Sequence, residues 1–173
     1  MKILGSPRTP RTGRTIDDIV ADLDRLAAAD FDDDNPAGDG WARLSGLCGE
    51  ALAAAGGAAC APAMFRVMER LDESDLGMPG PLVPTLESWR GRYEPLLAES
   101  VDRKPSPLTV WMVNRLLNSD PMHPDLWLAL LRRAAGHPGA SPQTRADARS
   151  FLRYQWATGP WDRGRESGVV RPV

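Results

Sequence analysis

Metal binding and acid–base catalysis need histidine, cysteine or carboxylate side chains brought together at short, regular spacings. The chain has two histidines, His123 and His137, and two cysteines, Cys48 and Cys60. Their separations match neither the CxxC nor the HxxxH pattern of a zinc site. Each histidine stands next to a proline, in what reads as a loop, so the commonest general base is poorly supplied. The sequence contains no glycine-rich phosphate loop, no GxSxG elbow and no HExxH. Glu87, Glu94 and Glu99 could face one another, but carboxylates on amphipathic helices are usually solvated. No catalytic residue, metal or cofactor is expected from these patterns.

The densest run of potential ligands is Asp30-Phe31-Asp32-Asp33-Asp34, with Asp39 close behind. Carboxylates recur at the first, third and fifth positions of a calcium loop. Counted from Asp30, however, the position of the sharp-turn glycine holds Asn35 beside Pro36, and the position of the bidentate glutamate holds Trp41. Asp30, Asp32, Asp33, Asp34 and Asp39 therefore read as an acidic loop. It is either a partner-binding surface or a solvated turn.

The net charge of −2 hides a strong asymmetry. From Thr15 to Glu50 ten carboxylates face two arginines, a local charge of −8. From Arg132 onward eight arginines face three carboxylates, a local charge of +5. Such polarity concerns partners and association rates rather than fold. The basic end raises a nucleic-acid reading, but the overall pI of about 5.7 and limited interleaving of aromatic and basic residues weigh against it.

These residues must be positioned by helices. Ile16, Ile19, Val20, Leu23 and Leu26 recur at helical spacing behind Thr15, which forms a capping-box pattern with Asp18. A second helix follows Asp39 and stops at Gly56-Gly57, and a third opens with Pro62. Leu76-Gly77-Met78-Pro79-Gly80-Pro81 then breaks the chain, since Gly77, Pro79, Gly80 and Pro81 prevent helix from running through. Short helices on either side of Gly91 come next. Arg103-Lys104-Pro105-Ser106-Pro107 reads as a helix end followed by a new start, with Ser106 as cap and Pro107 in the first turn.

The helix after Ser106 is apolar on nearly all sides and belongs in the middle of a domain. Asn114 interrupts it. A buried amide must find partners, so Asn114 either ties the helix to a neighbouring loop, with 76–81 the first candidate, or marks a solvent edge. Two more helices are expected at about 122–135 and 142–157. Trp41, Trp89, Trp111, Trp127 and Trp156 all occupy apolar helical positions and read as packed core or helix interface.

No segment alternates with period two. The expected fold is all-α, an irregular bundle or short stack of about seven to eight helices with short turns. Residues 1–14 read as a loose basic N-terminal arm, 15–157 as one domain and 158–173 as an extended tail. Without a signal-peptide pattern or a run of about 20 apolar residues, a cytoplasmic chain with reduced cysteines and no membrane partner is expected.

Three strings resemble a known family as a group: FRVMERLDESD, LGMPGPLVPTLE and YEPLLAESVDRKPSPLTVWMVNRLLNS. Together they span residues 65–119 and are similar to helical immunity proteins of bacterial polymorphic toxin and contact-dependent inhibition systems. That family commonly carries a histidine after PGPLV; Pro84 stands there in this chain, so no role carries over at that position. The resemblance implies a helical protein that binds and neutralises a cognate toxin domain, such as a nuclease, encoded by a neighbouring gene. Such an inhibitor acts stoichiometrically and without catalysis. The alternative is an α-helical adaptor or scaffold with no toxin partner. Neither reading fixes the oligomeric state.

Overall fold

The computed structural model describes residues 14–32, 34–35, 38–119 and 122–158. Within them the chain forms eight α-helices and no strand: α1 (Ile16–Arg25), α2 (Gly40–Ala53), α3 (Ala61–Arg70), α4 (Leu82–Glu87), α5 (Tyr93–Arg103), α6 (Pro107–Asn118), α7 (Pro124–Gly136) and α8 (Pro142–Thr158). Two single 3-10 turns, Ala28–Phe31 and Gly57–Cys60, precede α2 and α3. The fold is all-α, as the helical periodicity predicts.

Local chemistry starts the helices where their caps stand. Thr15 Oγ1 accepts the Asp18 amide while Asp18 returns a carboxylate oxygen to the Thr15 N–H at 2.9 Å, closing the box that opens α1. Ser106 opens α6 in the same way, with Thr109 in place of the usual Glu or Gln: its Oγ1 accepts the Ser106 amide at 2.8 Å. Ser141 Oγ accepts the Thr144 amide at 3.1 Å at the head of α8.

One hydrophobic core runs through the molecule, from Ile19 and Leu23 of α1 to Ala148 of α8. Helix α1 packs on α2 and α3, α3 on α5, and α2 on α4. On the other side α6 is enclosed by α5, α7 and α8, which explains its all-round apolar sequence. Charged side chains bolt these layers together. Glu69, 8% exposed, accepts Ser100 Oγ at 2.6 Å and both arms of the Arg103 guanidinium at 2.7 and 3.0 Å, linking α3 to α5. Arg115 of α6 grips Glu87 of α4, and Arg133 of α7 grips Asp102 of α5. Arg70 donates to the carbonyls of Leu23 and Leu26, the open C-terminal end of α1.

Both chain ends depart from expectation by a residue. Arg14, assigned to the loose arm, pairs with Asp22 and approaches Glu50 at 3.3 Å, because the acidic faces of α1 and α2 converge on it. Its guanidinium holds the Asp22 carboxyl below the usual carboxylate range. Thr158, assigned to the tail, closes α8 with its hydroxyl on the Tyr154 carbonyl at 2.8 Å. The rest of the arm and tail lies outside the described residues.

Candidate partner-binding surface

The described carboxylates of the acidic run divide between two tasks. Asp30 faces inward and is half-buried: it accepts the Ala27 amide at 2.8 Å and pairs with Arg43 at 3.1 Å. Its carbonyl carbon would lie 2.8 Å from a Cβ at Gly40, so the turn is pressed onto the head of α2. Asn35 Nδ2 donates to the Ala29 carbonyl at 2.7 Å and closes the turn from the other side. Asp32, Asp34 and Asp39 point to solvent. Asp32 accepts the Asp34 amide at 3.0 Å, an aspartate turn, and Asp39 stands 3.8 Å from Arg43. Asp33 lies outside the described residues.

Trp41, read as core or helix interface from its spacing, is 42% exposed. It sits in the first turn of α2, and one ring edge is covered from the loop before α4. The backbone of Gly77 lies against that edge: a Cβ there would stand 2.8 Å from Trp41 Cζ2 and closer still to Cη2. Gly77 and Gly80 both have positive φ, +74° and +57°, and a Cβ at Gly80 would overlap the Leu76 carbonyl, so this loop turns tightly enough to need glycine twice. The Met78–Pro79 peptide is cis. Pro81 leads into α4, and its carbonyl accepts Thr85 Oγ1 at 2.8 Å. Met78, at the tip, is 56% exposed.

The two proline-rich joints meet in space. Leu76, Gly77 and Met78 from the first, and Ser106, Pro107 and Leu108 from the second, line one cavity of about 90 Å³ together with Met68 and Leu71 at the end of α3. Asp72, Ser74 and Asp75 complete its wall. Asp72 is held by Lys104 Nζ at 2.9 Å, while Asp75 uses one oxygen to accept the Gly77 amide at 2.8 Å. Among the described residues no cation pairs with Asp32, Asp34, Glu73 or Asp75. Trp41, Gly77, Met78 and the cavity thus adjoin one another, with Asp75 as an unpaired carboxylate among them.

Other residues singled out by sequence serve the fold. Asn114, 9% exposed, accepts Gln155 Nε2 at 2.8 Å; its tie is to α8, 41 residues on, and not to the 76–81 loop. The same Nε2 donates to Asn118 Oδ1 at 2.7 Å. Trp111 is half-buried, with the Arg115 guanidinium 4.9 Å from its ring centre, so it lies at the core's edge; Trp127 alone of the five is buried. Trp89 and Trp156 are half-buried too, the latter beneath Arg132 at 5.3 Å.

Glu87, Glu94 and Glu99 do not form a joint site: Glu87 is held by Arg115 and Glu94 accepts the Gly91 amide. His137 accepts the Gly139 amide on Nδ1 and contacts the Asp102 carbonyl through Nε2, a structural tie at the end of α7. Arg145 and Arg149 donate to the Ala140 and Ala135 carbonyls around that same end. Four of the arginines behind the nucleic-acid reading, at 132, 133, 145 and 149, are therefore engaged within the protein.

Cys48 and Cys60 are reduced and buried. Burial pushes the Cys48 thiol up to about 11, partly offset by a hydrogen bond with Thr85. No group of three or more potential metal ligands occurs among the described residues, and no helix among them is long and apolar enough to cross a membrane.

Sequence reasoning missed Met78, Asp72 and Asp75 and the cavity they border. The available signal was that Leu76–Pro81 and Lys104–Pro107 are both rigid joints; their meeting depends on how α3, α5 and α6 pack. The chain matches no protein-family model, no curated protein and no solved structure.

Proposed function

We propose that this chain is an immunity protein: a stoichiometric, non-catalytic inhibitor that binds the basic face of a toxin domain encoded by a neighbouring gene. The observation that carries the reading is the exposed pair Trp41 and Met78 on either side of Gly77, with Asp75 beside them and the exposed carboxylates Asp32 and Asp34 on the turn that precedes α2. Interfaces concentrate their energy in a few aromatic and similarly large anchors with a polar rim, and methionine adapts its shape to what it meets. A toxin that acts on nucleic acid carries positive charge to hold phosphates, so an acidic rim supplies both encounter rate and complementarity. Resemblance across residues 65–119 adds support, because its strings include the two joints that line the cavity.

Co-expression is the direct test. Cells carrying the neighbouring toxin gene should survive when this chain is present and die when it carries Trp41→Ala and Met78→Ala together. Failure of the unaltered chain to protect, with no complex on gel filtration, would overturn the reading. The adaptor alternative draws on a second exposed apolar set, Met122, Leu126 and Tyr154, near the end of the α7–α8 hairpin away from its turn. A scaffold needs two surfaces; an inhibitor needs one. No protection by the unaltered chain, together with a partner from elsewhere in the genome whose binding is lost on replacing Leu126 and Tyr154, would favour the adaptor.

A further inference from the structure

The cavity between the two joints has a chemistry of its own. Its floor and sides are apolar, formed by Met68, Leu71, Leu76 and Leu108, and exposed Met78 is its lip. Its mouth is acidic. Of the two aspartates there, Asp72 is neutralised by Lys104 at 2.9 Å and only 9% of its side chain is exposed. Asp75 is exposed, and its one hydrogen bond is to the Gly77 amide.

A wholly apolar occupant would strip water from Asp75 and leave it without a counter-ion, a costly arrangement. A small polar one would leave the apolar wall uncovered. Lysine and arginine satisfy both parts, because their methylene stems cover apolar surface while the charged head stays at its edge. Resting on the functional reading above, we propose that this cavity seats one lysine or arginine side chain of the partner's basic surface, with the stem against Leu71 and Leu108 and the head on Asp75. Lys104 keeps Asp72 occupied, so Asp75 is the counter-ion left for the incoming cation. The site selects a basic side chain at one point of the interface, where the acidic turn only attracts positive charge at a distance.

The full chain, labelled with ¹³C at the methionine methyls, would be titrated at millimolar concentration with N-acetyl-lysinamide, N-acetyl-argininamide and, as an uncharged stem of matching length, N-acetyl-norleucinamide. The Met68 and Met78 methyl signals should shift saturably with the two cations and not with norleucinamide, while buried Met112 of α6 stays fixed. Asp75→Asn keeps an acceptor for the Gly77 amide, so the loop is retained, and should abolish the shifts. Equal shifts with norleucinamide, unchanged shifts in Asp75→Asn, or no saturable shift with either cation would each overturn the proposal. Because no toxin is involved, loss of this site and loss of protection in co-expression are separate outcomes.

Discussion

The edge of the Trp41 indole lies against the backbone of Gly77, in space that a Cβ at that position would need. Gly77→Ala therefore carries two penalties: a positive φ that costs about 1–2 kcal/mol for an L-residue, and displacement of the indole. Gly91 provides the control, since its φ of +82° imposes the first penalty and no atom lies near enough to impose the second. Urea unfolding should place Gly77→Ala below Gly91→Ala, and the ¹⁹F signal of fluorotryptophan at Trp41 should move only in the former. An unmoved signal would mean that the ring does not rest there.

Asn114 and Asn118 share one donor, Nε2 of Gln155. Replacing Asn114 with Leu leaves that donor its second acceptor and should cost about 1 kcal/mol, whereas Gln155→Leu removes the donor from both amides and should cost about 2–3 kcal/mol. In the double variant no orphaned acceptor remains at Asn114, so its cost should fall short of the sum of the two single changes. Strict additivity in urea midpoints would show that the two amides do not depend on each other.

What could be read from the sequence was local. Thr15 with Asp18, Ser106 with Pro107 and the break at 76–81 each act within a few residues, and the helices begin and end where those signals stand. Thr109 was missed as the second half of the Ser106 box because threonine is not the usual residue there, although its hydroxyl provides the same acceptor. Long-range placement was not legible. Helical spacing puts Trp41 and Leu44 on one face, but only packing decides that the core reaches Leu44 and ends before Trp41. The same holds for Asn114, whose partner lies on a helix that no local pattern links to it, and for Asp30, which looks like its neighbours in the acidic run yet is tied down by Arg43. The cavity depends on two joints about 30 residues apart meeting over the end of α3.

Alkaline pH should weaken the fold through Cys48. Its thiol ionises at the ordinary value of 9.0 when unfolded and only at about 11 when folded, chiefly because burial disfavours the thiolate. The sign follows: the unfolded chain loses this proton first, so the contribution is complete below pH 9 and is lost as pH rises towards 11. At 1.36 kcal/mol per pKa unit the loss is on the order of 3 kcal/mol. Buried Tyr93, raised from 10.0 to about 12, acts in the same direction but starts later. Urea midpoints taken across this range should fall more steeply for the unaltered chain than for Cys48→Ala. Parallel curves would show that the thiol is not the group responsible.

Charge and anchor should separate in the kinetics of binding. Asp32, Asp34 and Asp39 are exposed, and Asn at each keeps the size of the side chain; at position 32 it also keeps an acceptor for the Asp34 amide. The triple change to Asn should therefore leave the unfolding midpoint nearly unchanged. It removes three negative charges from the approach to Trp41, and charges at such distances act chiefly on encounter, within a Debye length of about 10 Å at 0.1 M salt. Association with the toxin domain should slow several-fold at low salt, with a flatter dependence on ionic strength and little change in dissociation. Trp41→Ala should do the reverse: it removes an anchor while leaving the field in place, so dissociation should quicken by tenfold or more, at about 1.4 kcal/mol per tenfold, and association should barely change. Asp30→Asn belongs to neither class, because its carboxylate pairs with Arg43 inside the turn, and it should lower stability before it affects binding. Stopped-flow association at two salt concentrations, combined with dissociation by dilution, measures all three variants. Wild-type association by the triple variant at low salt would make the acidic turn a solvated loop and place the interface elsewhere.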